Sequence, residues 1–291
     1  MILITGASGN AGQALQKLLA KRKVAFRTAH SQPQNYPADT EQNTAQLDFR
    51  DKATFSTALT GCAGVFLMRP PAISDSRKTL NVFIDVARQV GVTHIVFMSV
   101  IGASKHSWIP HHATERHLRS GPADWTILQP TFFAQNLQGP YAKDIRDADR
   151  IYLPAGSGKA AFIDVRDIAQ VAALAFSKPD SHLGQTWQLS GPAALDFDKV
   201  ASILSSELNR FIRYDRASVL GYALHLYRQH LPAMQILVQT LLHVGLRFGQ
   251  GATVTADIQQ LLGIGATPLH TYVQDHAALW RKPNHKLRAG K

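Results

Sequence analysis

Apolar and polar positions along the chain repeat with two periods, and the switches between them outline a fold. Ile2-Leu3-Ile4 is an apolar run of strand length, followed at helical spacing by Ala14, Leu15, Leu18 and Leu19. Val24 to His30 reads as a second strand, Ala45 to Phe49 as a short third, Gly64 to Met68 as a fourth and His94 to Met98 as a fifth. Trp125 to Leu128 reads as a sixth strand, running into Gln129-Pro130. Between them Asp51 caps a helix that reaches Leu59, and the helical period fills Thr79 to Gly91. Such alternation predicts an α/β fold, a Rossmann-type doubly wound parallel sheet whose ligands sit beyond the carboxyl ends of the strands.

From Thr131 the rhythm changes. Phe132, Phe133 and Asn136 lead into a loop, Ile151 to Gly156 reads as a hairpin arm, and Ala161 to Val165 then appears as a strand. A helix with Ile168, Val171, Ala172, Leu174 and Ala175, and a strand over Gln185 to Leu189, complete what reads as a return to the core. Gly191-Pro192 is a stop signal. Helical patterning then covers Phe197 to Leu208, and Ala217 to Leu246 with an interruption at Pro232. The expected division is a dinucleotide-binding domain over 1–131, with 161–190 returning to it, and a small, mainly helical substrate or lid lobe from 132–160 and 191–291. A substrate mouth lined by Phe132, Phe133, Asn136, Tyr222 and Leu226, with Tyr227, would favour a flat or apolar substrate. For each of these residues singly, packing inside the lobe is the simpler reading.

The first strand runs into Gly6-x-x-Gly9-x-x-Gly12 and then a helix, the order of a phosphate cradle. Gly6 allows a tight turn, Gly9 lets backbone approach a pyrophosphate, and Gly12 lets helix pack on strand; Ser8, Asn10 and Ala11 complete the loop. At the end of the second strand a carboxylate would grip the ribose hydroxyls of NAD. None stands there before Asp39, whereas Arg27, His30 and Ser31 offer donors to a 2′-phosphate, so NADP(H) is the preferred cofactor and NAD(H) a possible one. A strand-edge surface charge explains Arg27 equally well. The ends of the other strands give further cofactor candidates: Asp48 and Phe49; Leu67, Met68, Arg69 and Pro70; Ser99 and Val100; Gln129, Pro130 and Thr131.

Composition narrows the partners. The 291 residues carry 31 Lys and Arg against 20 Asp and Glu, a net charge of +11. The cations are dispersed, the denser patches being Lys21-Arg22-Lys23 and Arg281 to Lys291, so nucleic acid is disfavoured and an acidic dinucleotide suits the surface better. The single cysteine, Cys62, can form no internal disulfide and sits among apolar neighbours as a core thiol. With a strand at the very start in place of a signal peptide, the expected location is cytoplasmic. Val219 to Phe248, the most apolar long stretch, is interrupted by Arg228, Pro232 and Arg247, so no membrane span is expected.

Six stretches together resemble the NmrA-like branch of the atypical short-chain dehydrogenase/reductase superfamily, almost from end to end. They are Ile4 to Gly12, Gly61 to Leu67, His94 to Ser99, Trp125 to Pro130 with Phe133 and Asn136, Phe162 to Ala169, and Leu189 to Pro192. The resemblance implies a Rossmann domain with a small C-terminal lobe, usually preferring NADP(H). It implies activities from quinone and dye reduction to cofactor sensing without turnover. Many relatives carry an arginine at the end of the second strand where this chain has Ala29; Arg27, two residues earlier on the same face, is the expected substitute.

Typical members of that superfamily use a Tyr-x-x-x-Lys pair, the tyrosine protonating a carbonyl oxygen. This chain has no such pair. The corresponding region is Ser107 to Glu115, with His111 where some relatives have the lysine and Ser107 at the tyrosine offset. Glu115 lies four residues after His111 and on a helix could orient its imidazole. His111 and Ser99 are therefore the catalytic candidates, weighed against a helix-start histidine with no role. A metal site from His111, His112, Glu115 and His117 is disfavoured because adjacent histidines face different sides of a helix. Without a proton donor, reduction of a ketone to an alkoxide is a poor reaction, whereas a quinone or cationic dye yields a delocalised product. The expected function is hydride transfer from NADPH to a quinone-like or conjugated small-molecule acceptor, aromatic or apolar in character. The alternative is a non-catalytic NADP(H)-sensing regulatory protein, and a DNA-binding regulator ranks below both.

Overall fold

The computed structural model describes residues 1–32 and 43–282. Asp39 and most of the basic run from Arg281 to Lys291 lie outside the described residues. In chain order the elements are β1 (Ile2–Ile4), α1 (Asn10–Lys21), β2 (Phe26–His30), β3 (Thr44–Gln46), α2 (Ala53–Leu59), β4 (Gly64–Met68), α3 (Leu80–Gln89), β5 (His94–Met98), α4 (His111–Ser120) and β6 (Trp125–Pro130). There follow β7 (Phe132–Phe133), α5 (Ala142–Ala148), β8 (Arg150–Leu153), β9 (Lys159–Ile163), α6 (Val165–Ser177), β10 (Gln185–Leu189), β11 (Ala194–Asp196) and α7 (Phe197–Leu208). The chain continues through β12 (Arg213–Arg216), α8 (Val219–Arg228), α9 (Ala233–Leu246), α10 (Asp257–Leu262) and α11 (Leu269–Asp275).

The chain divides into two compact units. Unit 1 comprises Met1–Pro130, Val165–Leu189 and Asp257–Ile264, and holds the seven-stranded parallel sheet in the order β10-β6-β5-β4-β1-β2-β3. Ile2 pairs with Phe26 on one side and Gly64 on the other, so β1 stands where the strand order reverses. That is the position at which an open parallel sheet parts its loops for a ligand. The period of two decides the faces. Leu3, Val65, Leu67, Ile95, Phe97 and Ile127 pack with Phe55 and Leu59 of α2, Phe83 and Ile84 of α3 and Leu118 of α4. The alternate set, including Ile4, Phe66, Val96 and Leu128, is equally buried and turns to the other face, where α1 packs on α6.

Unit 2 comprises Thr131–Asp164, Ser190–Ala256 and Gly265–Lys291. It holds a three-stranded sheet, β11-β9-β7, and a two-stranded one, β12-β8. Tyr141, Phe162, Phe197, Tyr222, Tyr272 and Trp280 dominate its core. Three sequence expectations are corrected. Ile151 to Gly156 is no hairpin arm, because β8 pairs in parallel with β12, Ile151 opposite Tyr214. Ala161 to Ile163 does not return to the large sheet: β9 pairs with β7 and β11, and the return begins at Val165 with α6. Asp257–Ile264, expected in the smaller lobe, belongs to unit 1, where Asp257 Oδ2 accepts the Gln188 N–H at 2.7 Å. Cys62 is buried with its thiol pushed up by burial, the state of a core residue. No helix among the described residues is long and apolar enough to cross a membrane.

A buried histidine makes the base of the large sheet sensitive to acid. Thr126 Oγ1 donates to His182 O at 2.7 Å and so accepts from His94 Nε2 at 2.8 Å, which leaves His94 Nδ1 buried without a partner. A proton on Nδ1 would be an unsatisfied cationic donor, and burial, with His182 adding to it, pulls the pKa from 6.5 to about 4. Because the folded pKa lies below the unfolded one, this contribution is complete above about pH 6.5 and is lost as pH falls toward 4. Urea titrations from neutral pH to pH 4 should show His94→Gln losing about 3 kcal/mol less stability over that window than the native chain. Equal losses would refute the assignment.

Candidate functional site

The glycine loop is built by contacts that leave no room for side chains. Gly6 has φ +61°, and a Cβ there would stand 2.9 Å from Met68 Sδ. A Cβ on Gly12 would stand 2.3 Å from Gly6 O, so the first turn of α1 can close on the β1 turn only at glycine. Gly9 is more tolerant, its Cβ position lying 3.4 Å from the same oxygen. Thr5 anchors the turn: its N–H and hydroxyl both donate to Phe66 O, and its hydroxyl accepts the Met68 N–H at 2.8 Å. Asn10, Ala11 and Gly12 open α1 with N–H groups that no helix carbonyl can reach, and Gly9 supplies no side-chain cap. Ser8 and Asn10 are exposed beside them. Inward N–H groups, a positive helix end and no acid in the first turn suit a pyrophosphate.

At the ends of β5 and β6 a buried carboxylate organises the floor of this loop cluster. Glu115 Oε1 accepts from Ser99 Oγ at 2.5 Å and Gln129 Nε2 at 2.7 Å, while Oε2 accepts from Arg119 Nη1 at 2.8 Å. Arg119 Nη2 reaches Thr186 Oγ1 at 2.9 Å, so the network joins β5, α4, β6 and β10. Glu115 is 0 % exposed and Ser99 and Gln129 are each 1 % exposed. The expectation that Glu115 orients His111 is therefore corrected: its oxygens are engaged by other donors, because α4 turns Thr114, Glu115 and Leu118 inward. Ser99 is corrected with it. Its hydroxyl is committed to a carboxylate inside the protein and supports the site as a strut.

His111 opens α4, half-buried, with its ring 6.1 Å from that of Phe97. Its Nδ1 is buried and has no hydrogen-bond partner, and burial together with the Arg69 charge lowers its pKa to about 4. Arg69, at the end of β4, donates Nη1 to Pro70 O at 3.2 Å and also to Ile73 O, while its Nε is buried and unpartnered. These two orphaned atoms on neighbouring strand-end loops are what a ligand's polar groups could satisfy. His112 and His117 bond elsewhere, to Ala103 O and Asp85 Oδ1.

On the adenosine side the structure changes the assignment of Arg27. Its Nη1 donates to Ala58 O at 3.1 Å and Thr60 O at 2.8 Å, the carbonyl end of α2, where open acceptors and a negative dipole hold a guanidinium. Arg27 is therefore not the expected substitute at the strand's end; His30 and Ser31 hold that place. Burial lowers the His30 pKa, which favours its neutral imidazole. Asp48 Oδ1 accepts the Arg50 N–H at 2.9 Å and shapes its own turn. Phe49 and Leu67 are core residues, leaving only their main chain for a ligand. Met68, Pro70 and Val100 are partly exposed, and Pro130 is buried with its carbonyl taking the Ile101 N–H.

Thr131, Phe132, Phe133, Asn136, Tyr222 and Leu226 all belong to unit 2. Thr131 Oγ1 donates to Ala161 O at 2.7 Å. Tyr222 and Leu226, expected at a mouth, lie four apart on the inner face of α8 and are buried in the core of unit 2, with Phe132 packed against it. Tyr227 is exposed. Phe133 and Asn136 are half-buried.

Residues 6–179, more than half of the chain, match the model of the NAD(P)H-binding family. The chain belongs to the NAD(P)H-binding family. Membership agrees with the resemblance to NmrA-like atypical short-chain reductases carried by the motifs. Within the curated proteins, the NAD(P)H azoreductase of Xenophilus azovorans is 34 % identical over 74 % of this chain and 76 % of its own length. The agroclavine dehydrogenase of Claviceps fusiformis is 30 % identical over 96 % of this chain and 98 % of its own. Among solved structures, the NADPH-dependent quinone oxidoreductase of Escherichia coli, complexed with NADPH, has the same fold. Its TM-score is 0.82 at 23 % identity, over 96 % of this chain and 100 % of that one.

Two outcomes follow. Gly12→Ala should weaken NADPH binding by about 100-fold, because the turn must open, while Gly9→Ala costs far less; fluorescence titration ranks them, and equal losses would contradict the geometry. Glu115→Ala strips buried Ser99 and Gln129 of their acceptor and should cost about 3 kcal/mol in urea denaturation. A loss below about 1 kcal/mol would show the network to be incidental.

Proposed function

We propose that the chain is an NADPH-preferring oxidoreductase that reduces conjugated small-molecule acceptors such as quinones or azo dyes. The observation that carries this reading is His111, a neutral imidazole with an unpartnered Nδ1 beside Arg69, at the position where some relatives have the lysine of the Tyr-x-x-x-Lys pair. Bound reduced nicotinamide supplies the hydride. The chain supplies placement. The Gly6 to Gly12 turn holds the diphosphate, the Glu115 network fixes the ends of β5 and β6, and Arg69 keeps a cation close to where negative charge would develop.

A histidine with a pKa of about 4 is no source of protons at neutral pH, though it can hold a hydrogen bond. An acceptor whose reduced form delocalises its charge needs no acid during hydride transfer, and solvent can protonate it afterwards. The names of the azoreductase, dehydrogenase and quinone oxidoreductase relatives support a reductase. His30 and Ser31 at the end of β2, with no carboxylate among them, support NADPH. Phe133 and Asn136 are proposed as acceptor contacts.

Tryptophan fluorescence should show NADPH binding at least about tenfold tighter than NADH. Acceptor-dependent loss of NADPH absorbance should follow with quinones and azo dyes and not with simple ketones. The rate should be flat between about pH 6 and 8, and His111→Ala should lower kcat/KM about 10- to 100-fold. Tight NADPH binding without turnover across the panel would instead establish a cofactor sensor.

A further inference from the structure

The helix α9 buries one face and exposes an apolar one. Thr240, His243 and Leu246 are buried on the inner one, His243 Nδ1 donating to Gln239 O at 2.6 Å and Nε2 accepting the Tyr141 hydroxyl. On the outer face Met234, Leu237, Val238, Leu241 and Leu242, with Phe248 just past the helix end, are 47–79 % exposed. Met234, Leu237, Leu241, Val244 and Phe248 are spaced three and four apart in alternation, the seam of a helix that packs along a second helix. An exposed apolar face of this size calls for a cover, and among the described residues only the opposite face of α9 is covered.

We infer that this face pairs with the same face of a second copy of the chain, making α9 the centre of a twofold dimer. Size is the first reason. Six large side chains at on the order of 100 Å² each offer roughly 600 Å², at the upper limit for a monomer's largest apolar patch and close to the ~800 Å² per partner of a standard interface. Leu220, Leu224 and Tyr227 form an exposed stripe on α8, the helix that packs against α9, and are available to extend it. Charge is the second. The chain carries +11, which opposes association of copies through most surfaces, yet Ala233–Leu246 contains no Lys, Arg, Asp or Glu. A helix lying on a membrane surface would set cations beside its apolar face, and α9 has none to set. Leu241 stands at the midpoint of the seam, so in a twofold pairing it meets its own copy.

The native chain should sediment as a dimer. Leu241→Lys and Leu241→Glu should each weaken the dimer by about 100-fold or more while leaving far-UV dichroism unchanged. An equimolar mixture of the two variants should sediment as a dimer again, since Lys then faces Glu. A native chain that is monomeric at every concentration, a single variant that remains dimeric, or a mixture that stays monomeric would overturn the inference. So would a dimeric Leu241→Lys whose only change is a raised KM for an apolar acceptor, which would make the face a substrate contact. The readout is mass and is independent of whether the chain turns over NADPH.

Discussion

The structure depends on one close approach, the carbonyl of Gly6 against the α-carbon of Gly12. With a side chain at 12 the gap of 2.3 Å to the Cβ position could not exist, α1 would stand off from β1, and its first N–H groups would no longer converge on the turn. The approach in turn rests on Thr5, whose hydroxyl donates to Phe66 O and accepts from Met68 N, locking the loop to the neighbouring strand at the point where the sheet order reverses. Steric permission and hydrogen bonding thus act on the same few atoms. The turn suits a pyrophosphate by its shape and its main-chain dipoles, with no cationic side chain in the loop.

A second constraint, the burial of Glu115, governs the far side of the sheet. A carboxylate with no access to water must find donors, and the three it finds come from β5, β6 and its own helix. The ends of those strands are therefore held in register by a charge that would be costly to expose or to leave alone. This explains why a serine at the end of β5 can matter to a site it does not face, since it fixes the geometry on which His111 and Arg69 depend.

What could be read from the sequence follows the range of the interaction. The glycine spacing, the strand ends and the interruption at Pro232 are local, and each is visible in a dozen residues. Arg27 was legible as a cation on β2, yet its partner is the carbonyl end of α2 some thirty residues away, which no local pattern encodes. Glu115 illustrates the same limit more finely. Two residues lie four positions from it, His111 before and Arg119 after, and only the direction in which α4 turns its buried face decides between them. Tyr222 and Leu226 stand four apart in a helical pattern, and such a pattern does not say whether its apolar residues line a mouth or fill a core.

The chemistry is constrained more by what His111 is than by where it stands. Burial and the positive charge of Arg69 act in the same direction on the imidazole, and both disfavour its protonated form. A site meant to deliver a proton during hydride transfer would place a carboxylate against that ring, and Glu115 is turned away to other donors. Arg69 stabilises an anion and disfavours a second cation, which fits a product whose negative charge is spread over a conjugated system and protonated later by water. An alkoxide is served less well, because its high basicity calls for a proton donor that the neutral imidazole does not provide. On the proposed reading, a neutral histidine beside an arginine suits the reduction of conjugated acceptors, and the absence of a tyrosine–lysine pair fits it.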